Sequence, residues 1–335
     1  MTGEDIRSLL AGAFPATCND PELKETHISW VILCDDRVYK IKKPMKYSFL
    51  DFSTLEQRKH YCEREVMLNN RLTHKVYIDV QPVRKTQSGF SIGGDEGEVV
   101  DYAVHMHKLD NRRRMDVLLR DGNVTEDHIR SLAHQLVSFH KEAVIVYPED
   151  PLDIQSKFND IEGQRKFIQD ALGDPYQDIL DDTLKRSDKF VLDNKRLLED
   201  RIEDGFHRDG HGDLHSRNIF LLDEPVIFDC IEFNDEYRQV DVLNEVAFLC
   251  MDLDAFGRSD LARTFIEAYT ARFAAISGAR DVALYHYYKC YRANIRAKVN
   301  SLRAQHATDS SAAADALREA ARYLDLMHKY TEAFS

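Results

Sequence analysis

The chain has 335 residues, 43% of them hydrophobic and 31% charged, with a formal net charge of −13. That length supplies ample core and exceeds one small domain, so two lobes are expected. The acidic balance excludes general nucleic-acid binding, which needs a basic footprint, and suits either a cationic substrate or plain solubility.

No apolar run approaches a membrane span, and the opening MTGEDIRSLL lacks a basic region ahead of an apolar stretch. No membrane partner and a cytoplasmic location are therefore expected. The cysteines at 18, 34, 62, 230, 250 and 290 are scattered without a C-x-x-C pair. A reduced protein with neither a disulfide framework nor a structural zinc follows.

Residues 1–20 read as a short helix, with Ile6, Leu9, Leu10 and Phe14 on one side, and then a loop. From Thr26 to Lys43 the pattern is β-rich, and HISWVILC and RVYKIKK flank an Asp35-Asp36 turn. Val38, Lys40 and Lys42 share one strand face, Tyr39 and Ile41 the other. Ser53 as N-cap and Glu56 three residues on announce a helix through RKHYCEREVMLNNRL, whose many glutamates include Glu63 and Glu65. Val76–Val83, Gly89–Ile92 and Glu98–Met106 complete a small antiparallel sheet. Gly93, Gly94 and Gly97 form a turn and not a phosphate loop, because the G-x-G-x-x-G spacing is missing. No G-x-x-x-x-G-K-[ST] occurs, and no glycine-rich loop precedes Lys40.

Beyond Asn111 the chain turns helical. Thr125 caps a helix with Ile129, Leu132, Ala133, Leu136 and Val137 at helical spacing, and His134 and His140 read as packing or surface residues. Residues 153–205 alternate apolar and charged positions at helical period and carry no catalytic signature. Further helices are expected near 260–277, 282–305 and 312–332, the second with Arg292, Arg296 and Lys298 on a solvated basic side.

The chemistry concentrates at His211-Gly212-Asp213-Leu214-His215-Ser216-Arg217-Asn218. Two apolar runs follow, Asn218–Leu222 and Val226–Phe228, around Asp223-Glu224-Pro225. They read as a hairpin that brings Asp213, Asn218 and Asp229 to one end of a ribbon. Two carboxylates and an amide oxygen there suit a hard cation such as Mg2+. The spacing fits the kinase catalytic loop H-R-D-x-x-x-x-N followed by the D-F-G aspartate, with Gly212 in the arginine slot and Cys230-Ile231 in place of Phe-Gly. Asp241 reads as the N-cap of the next helix. The stretch Cys230–Val240 is too short for a peptide-docking activation segment, which favours a small acceptor.

The H-G-D-x-H-x-x-N form resembles the aminoglycoside phosphotransferase and choline kinase family of kinase-like small-molecule phosphotransferases, and HGDLHSRNIFLLDEPVIFDCIEF resembles a bacterial branch of unknown substrate. VYKIKKP near residue 40 and YRANIRAKV near residue 291 extend the likeness over most of the chain.

The resemblance implies a bilobal α+β fold: an N-lobe of sheet and helix over 1–104, a connection at 105–110, and a helical C-lobe from 111 to 335. It implies ATP, or GTP, with Mg2+ as cofactors, and a small-molecule hydroxyl as acceptor. Asp213 would be the catalytic carboxylate, with His215 able to reach the transferring group and His211 bracing the loop. Asn218 and Asp229 would take the metal. Lys40, with Lys42 as its competitor, would hold phosphates and pair with Glu65 or, alternatively, Glu63. His105 and Met106 would meet the adenine at open backbone in the lobe connection. Two other readings compete: a nucleotide-binding regulator without phosphate transfer, and a metallohydrolase using HGDLH as a zinc site.

Overall fold

The computed structural model describes residues 1–334. The chain forms two compact units. One joins Met1–Asp121 to His211–Asp213 and Arg217–Arg238; the other comprises Gly122–Gly210, Leu214–Ser216 and the chain from Gln239 onward.

The first unit is built on an antiparallel sheet of β1 (Glu22–Glu25), β2 (Ser29–Leu33), β3 (Arg37–Lys42), β6 (Tyr77–Thr86), β7 (Gly89–Ile92) and β8 (Glu98–His107), in the order β1-β2-β3-β8-β6-β7. The short strands β4 (Lys46–Tyr47) and β5 (Leu50–Asp51) form a separate hairpin after β3. β3 is internal: Lys40 lies opposite Val31 on one side and Val104 on the other. Alternation across the pleat divides its side chains between two cores. Tyr39 and Ile41 join Trp30, Ile32, Val83 and Ala103 beneath Ile6 and Leu9 of the N-terminal helix α1 (Gly3–Leu9). Val38 joins Tyr77, Val104, Met106 and Cys62 of α2 (Leu55–Asn69).

Three expectations are corrected in this unit. α1 stops at Leu9, and Phe14 reaches the core from the loop beyond it, with its ring 5.6 Å from that of Tyr39. Cys18 and Cys34 are joined in a disulfide that fastens this loop to the end of β2, so the cysteines are not all free. The α2 cap is Thr54 and not Ser53: Thr54 Oγ1 accepts from the Gln57 amide at 3.2 Å and Gln57 answers the Thr54 amide. Ser53 Oγ instead donates to Asp51 at 2.6 Å. The glycine turn is as expected, with Gly93, Gly94 and Gly97 all at positive φ between β7 and β8.

The second unit is mainly helical, with helices Glu126–Glu142, Asp153–Asn159, Arg165–Leu172, Asp174–Asp193, Lys195–Glu203, Val242–Ala255, Ser259–Thr270, Ala279–His306 and Ser310–Phe334. Thr125 and Asp241 cap the helices assigned to them. Asp241 also takes a forked bond from the buried Arg201, at 2.5 and 2.9 Å. The basic side of Ala279–His306 is packed at Arg292 and only partly exposed at Arg296 and Lys298. Arg292 is buried over the Phe248 ring and donates to Asn244 at 2.7 Å, while Lys298 pairs with Asp160. His140 is a buried link, with Tyr269 Oη at 2.7 Å and Glu245 Oε2 at 2.6 Å. The Glu245 carboxylate lies so close to Gly210 that a Cβ there would sit 2.3 Å from Oε2. Among the described residues no helix is long and apolar enough to cross a membrane.

Thr54→Ala should lower unfolding free energy by about 1 kcal/mol in a urea titration, because it removes the side-chain acceptor of the Gln57 amide, while Ser53→Ala should shift the midpoint much less.

Candidate functional site

Two lysines of β3 and one glutamate of α2 form the centre of the site. The period of two puts Lys40 and Lys42 on the same face of β3, and Glu65 projects to them from α2. Lys40 Nζ donates to Glu65 Oε1 at 2.9 Å, and Lys42 Nζ to Glu65 Oε2 at 2.7 Å. Each lysine has a second carboxylate: Asp229 Oδ1 at 2.7 Å for Lys40, and Glu232 for Lys42. Glu63, the competing glutamate, is exposed and meets only Lys59, at 3.7 Å.

Burial opposes ionisation of every member, and pairing decides the outcome. Burial alone would lower the Lys40 ammonium, but the Asp229 and Glu65 carboxylates hold it well above its usual value. Burial would raise Glu65, but the two ammoniums bring it down to about 2. Glu232 goes the other way: burial lifts it, and Glu65 competes for the charge of Lys42. Lys40 has a 14% exposed side chain and Asp229 a 43% exposed one, whereas Lys42 and Glu65 are closed off completely. Lys40 and Asp229 are therefore the members a ligand can reach.

The hairpin brings Asp229 to this place. Ile219–Leu221 pairs with Pro225–Ile227, and the Phe228 amide bonds the Asn218 carbonyl at 3.1 Å, so Asn218 stands opposite the residue before Asp229. Asp229 has φ +62°, alone among the described non-glycine residues in a left-handed conformation. Such a residue costs on the order of 1–3 kcal/mol and persists only when its surroundings enforce it. Here Tyr77 Oη accepts the Asp229 amide at 3.2 Å, and Asn69 Oδ1 accepts the Cys230 amide at 2.9 Å. Burial drives the Tyr77 phenol far above its ordinary pKa, so it stays neutral.

The loop before the hairpin is braced from within. His211 Nδ1 accepts the Asp213 amide at 3.1 Å, which makes Nε2 the protonated nitrogen that donates to Phe228 O at 2.9 Å. Asn218 Nδ2 donates to the Asp213 carbonyl at 3.0 Å and to Asp213 Oδ2 at 2.9 Å. Gly212, at φ +87°, could not be replaced: a Cβ would lie 2.8 Å from the Tyr237 carbonyl.

The donors present fit a Mg2+ ion held with phosphates and water. Asn218 Oδ1 and Asp229 Oδ2 have no hydrogen bond among the described residues, and Asn218 faces Phe228, the residue next to Asp229, at the end of one ribbon. Among the described residues no group of three His, Cys, Asp or Glu side chains is placed to hold a metal. Both ring nitrogens of His211 are engaged, so HGDLH does not present it as a zinc ligand.

The other nominated residues are packed against neighbours, and Met106 is on the same sheet face as Lys40. His215 belongs to the second unit, buried against the Phe248 ring at 5.4 Å. His105 is on the opposite sheet face from the lysines, stacked on Tyr39 at 5.0 Å and bonded to Asp79 at 3.0 Å. Met106 is buried and paired with Val38 and Tyr77. β8 runs on through His107, so His105 and Met106 are paired within the sheet. Sequence reasoning passed over Glu232, Tyr77 and Asn69. Glu232 had a readable signal, a lone acid between Ile231 and Phe233 just after Asp229.

Lys42→Met should destabilise the protein by about 3–5 kcal/mol in urea unfolding, since it leaves the buried Glu232 unpaired and Glu65 with Lys40 alone; adding Glu232→Gln should recover part of the loss. Because Glu65 is held below its unfolded value, its stabilising contribution is complete above pH 4.5 and is lost as pH falls toward about 2. Glu65→Gln should flatten the stability-versus-pH curve over that window.

No family model matches the chain. It is 32% identical over 303 residues to an uncharacterized protein of Mycobacterium tuberculosis strain H37Rv, and equally to one of Mycobacterium bovis. The match covers 89% of this chain and 58% of each relative, so the chain spans under two thirds of their length. Among solved structures, amicoumacin kinase in complex with AMP-PNP, Ca2+ and Ami superposes with TM-score 0.57 and 11% identity, covering 97% of this chain and 94% of that one. Plasmodium vivax ethanolamine kinase gives 0.54 and 11%, covering 91% and 81%. A choline/ethanolamine kinase family protein from Mesorhizobium loti gives 0.51 and 12%, covering 98% and 100%. The chain therefore has the kinase-like α+β fold of these choline, ethanolamine and amicoumacin kinases, the fold that its HGDLHSRN motif implied.

Proposed function

We propose that the protein is a phosphotransferase that moves the γ-phosphate of ATP, with Mg2+, to a hydroxyl of a small molecule. The observation that carries this reading is Lys40 held between Glu65 and Asp229, on the same compact unit as the Asp213–Asn218 clamp. In a nucleotide-bound state Lys40 would exchange part of its pairing with Asp229 for phosphate oxygens, and Glu65 would keep it oriented. Asn218 and Asp229 would hold the metal, which supplies charge neutralisation for the phosphates. Asp213 orients the acceptor hydroxyl and takes its proton, and its geometry is set by His211 and Asn218. The work is positioning and electrostatics. The likeness to a kinase solved with AMP-PNP and Ca2+ supports a nucleotide and a divalent cation as ligands. The acidic chain, at −13, is compatible with a cationic acceptor.

A panel of hydroxyl acceptors with ATP, GTP and Mg2+, read by ADP or GDP release, tests the reading. Asp213→Asn should slow turnover by about 10²–10⁴-fold with nucleotide affinity nearly unchanged. Asp229→Asn should weaken Mg-ATP binding as well as rate. Wild-type turnover in Asp213→Asn would rule out this mechanism and leave the nucleotide-binding regulator.

A further inference from the structure

An open cleft of about 300 Å³ is lined by residues of the second unit only, among them Lys141, Asp204, Phe206, Arg208, Arg272 and Phe273. Lys40, Glu65, Asp213 and Asp229 all belong to the first unit. The cleft forms where the helices Glu126–Glu142 and Ser259–Thr270 end beside the short strand His207–Asp209. Phe206 and Phe273 stand in its wall, with ring centres 6.2 Å apart and planes tilted by 55°. Phe273 is held by stacking on Tyr269 at 5.7 Å, and the Arg201 guanidinium covers the Phe206 ring at 4.2 Å. Ile145, 39% exposed, lies against Gly205 of the lining, where a Cβ would sit 3.1 Å from Ile145 Cδ1.

Cations at helix C-termini have an ordinary use, which is to meet the last carbonyls. Arg208 serves it: Nη1 donates to the His140 carbonyl at 2.8 Å and to those of Lys141 and Ala143 at 3.3 Å, and Nε to the Gly205 carbonyl at 3.1 Å. Lys141 and Arg272 do not. Among the described residues neither side chain has a hydrogen bond or ion pair, and Arg208 Nη2 has no acceptor. The Asp204 carboxylate has no ion pair either, so the acid of the cleft does not neutralise a particular cation. Two helix ends of about half a negative charge each, with Asp204, come to about −2 against three cations. About one positive charge is left over, on a chain whose balance is −13.

We propose that this cleft is a second binding site, separate from the lysine site, for a small monoanion with a flat apolar body, such as an aromatic carboxylate. The carboxylate takes the donors of Arg272, Lys141 and Arg208 Nη2 that have no acceptor in the protein. The ring lies against Phe206 and Phe273, whose positions are fixed before a ligand arrives, so little ordering entropy opposes binding. A volume at the lower end of the range for ligand pockets suits one or two fused rings better than a nucleotide. A leftover charge of about +1 matches one carboxylate better than a phosphate dianion.

The test is titration of the full chain with 2-naphthoate, 2-naphthamide and inorganic phosphate, read by ligand-detected NMR. A probe of this size should bind with a Kd on the order of a millimolar. The amide, with the same rings and no charge, and phosphate, with charge and no ring, should each bind more weakly. Arg272→Gln should weaken 2-naphthoate by about threefold and Lys141→Gln with Arg272→Gln by about tenfold, with 2-naphthamide within about twofold throughout. Both side chains are exposed and unbonded, so the variants should melt as wild type does. Phe273→Leu should weaken both naphthyl probes. No binding of 2-naphthoate, equal affinity for its amide, or unchanged affinity in the double variant overturns the inference. Displacement of 2-naphthoate by ADP also overturns it, since that puts the probe in the nucleotide site.

Discussion

The arrangement of the site depends on one carboxylate, Glu65, shared by two lysines. Taking three charges out of water costs several kcal/mol each, and only close geometry returns it. The sheet supplies that geometry because Lys40 and Lys42 are two residues apart on an internal strand, with Glu65 facing both from α2. Glu65 alone leaves the pair of ammoniums with excess positive charge. Asp229 and Glu232, three residues apart in one segment, absorb it. The chain after the hairpin is thereby tied to β3 and α2 through charge.

That tie explains how Asp229 can hold a left-handed backbone. Aspartate tolerates this conformation better than most residues, but it still requires enforcement. Tyr77 and Asn69 hold the amides of Asp229 and Cys230, and His211 holds the carbonyl just before them. Cys230 and Ile231 follow Asp229, and the anchoring of this turn is done by neighbours. The Asp213 loop shares the constraint, since the same His211 ring bonds the Asp213 amide.

The two lysines divide their roles by exposure. Lys42 is sealed from solvent, as is Glu65, and its cation also sits 5.0 Å from the Phe52 ring centre. It is a structural charge. Lys40 retains an opening and a partner, Asp229, that is nearly half exposed, so its pairing is the exchangeable one. In the second unit, Arg201 with Asp241 and His140 with Glu245 are likewise buried and paired. There the charge serves packing around helix ends and Gly210.

The sequence by itself determined the fold class, because the spacing of His211, Asp213, Asn218 and Asp229 is set by local backbone: a braced loop, a short hairpin and the residue after it. Strand alternation likewise placed Lys40 and Lys42 together, and helical periodicity marked most helices. Tertiary structure decided what depends on partners distant along the chain. Glu63 and Glu65 are equivalent in sequence, and only the packing of α2 on the sheet aims Glu65 inward. The Cys18–Cys34 bridge has no spacing signature, and the burial of Arg292 depends on Asn244 and Phe248, which approach from another helix. The pairing of Glu232 with Lys42 was invisible for the same reason. A charge or ring becomes part of a site through its neighbours in space, and periodicity records only which way a residue faces.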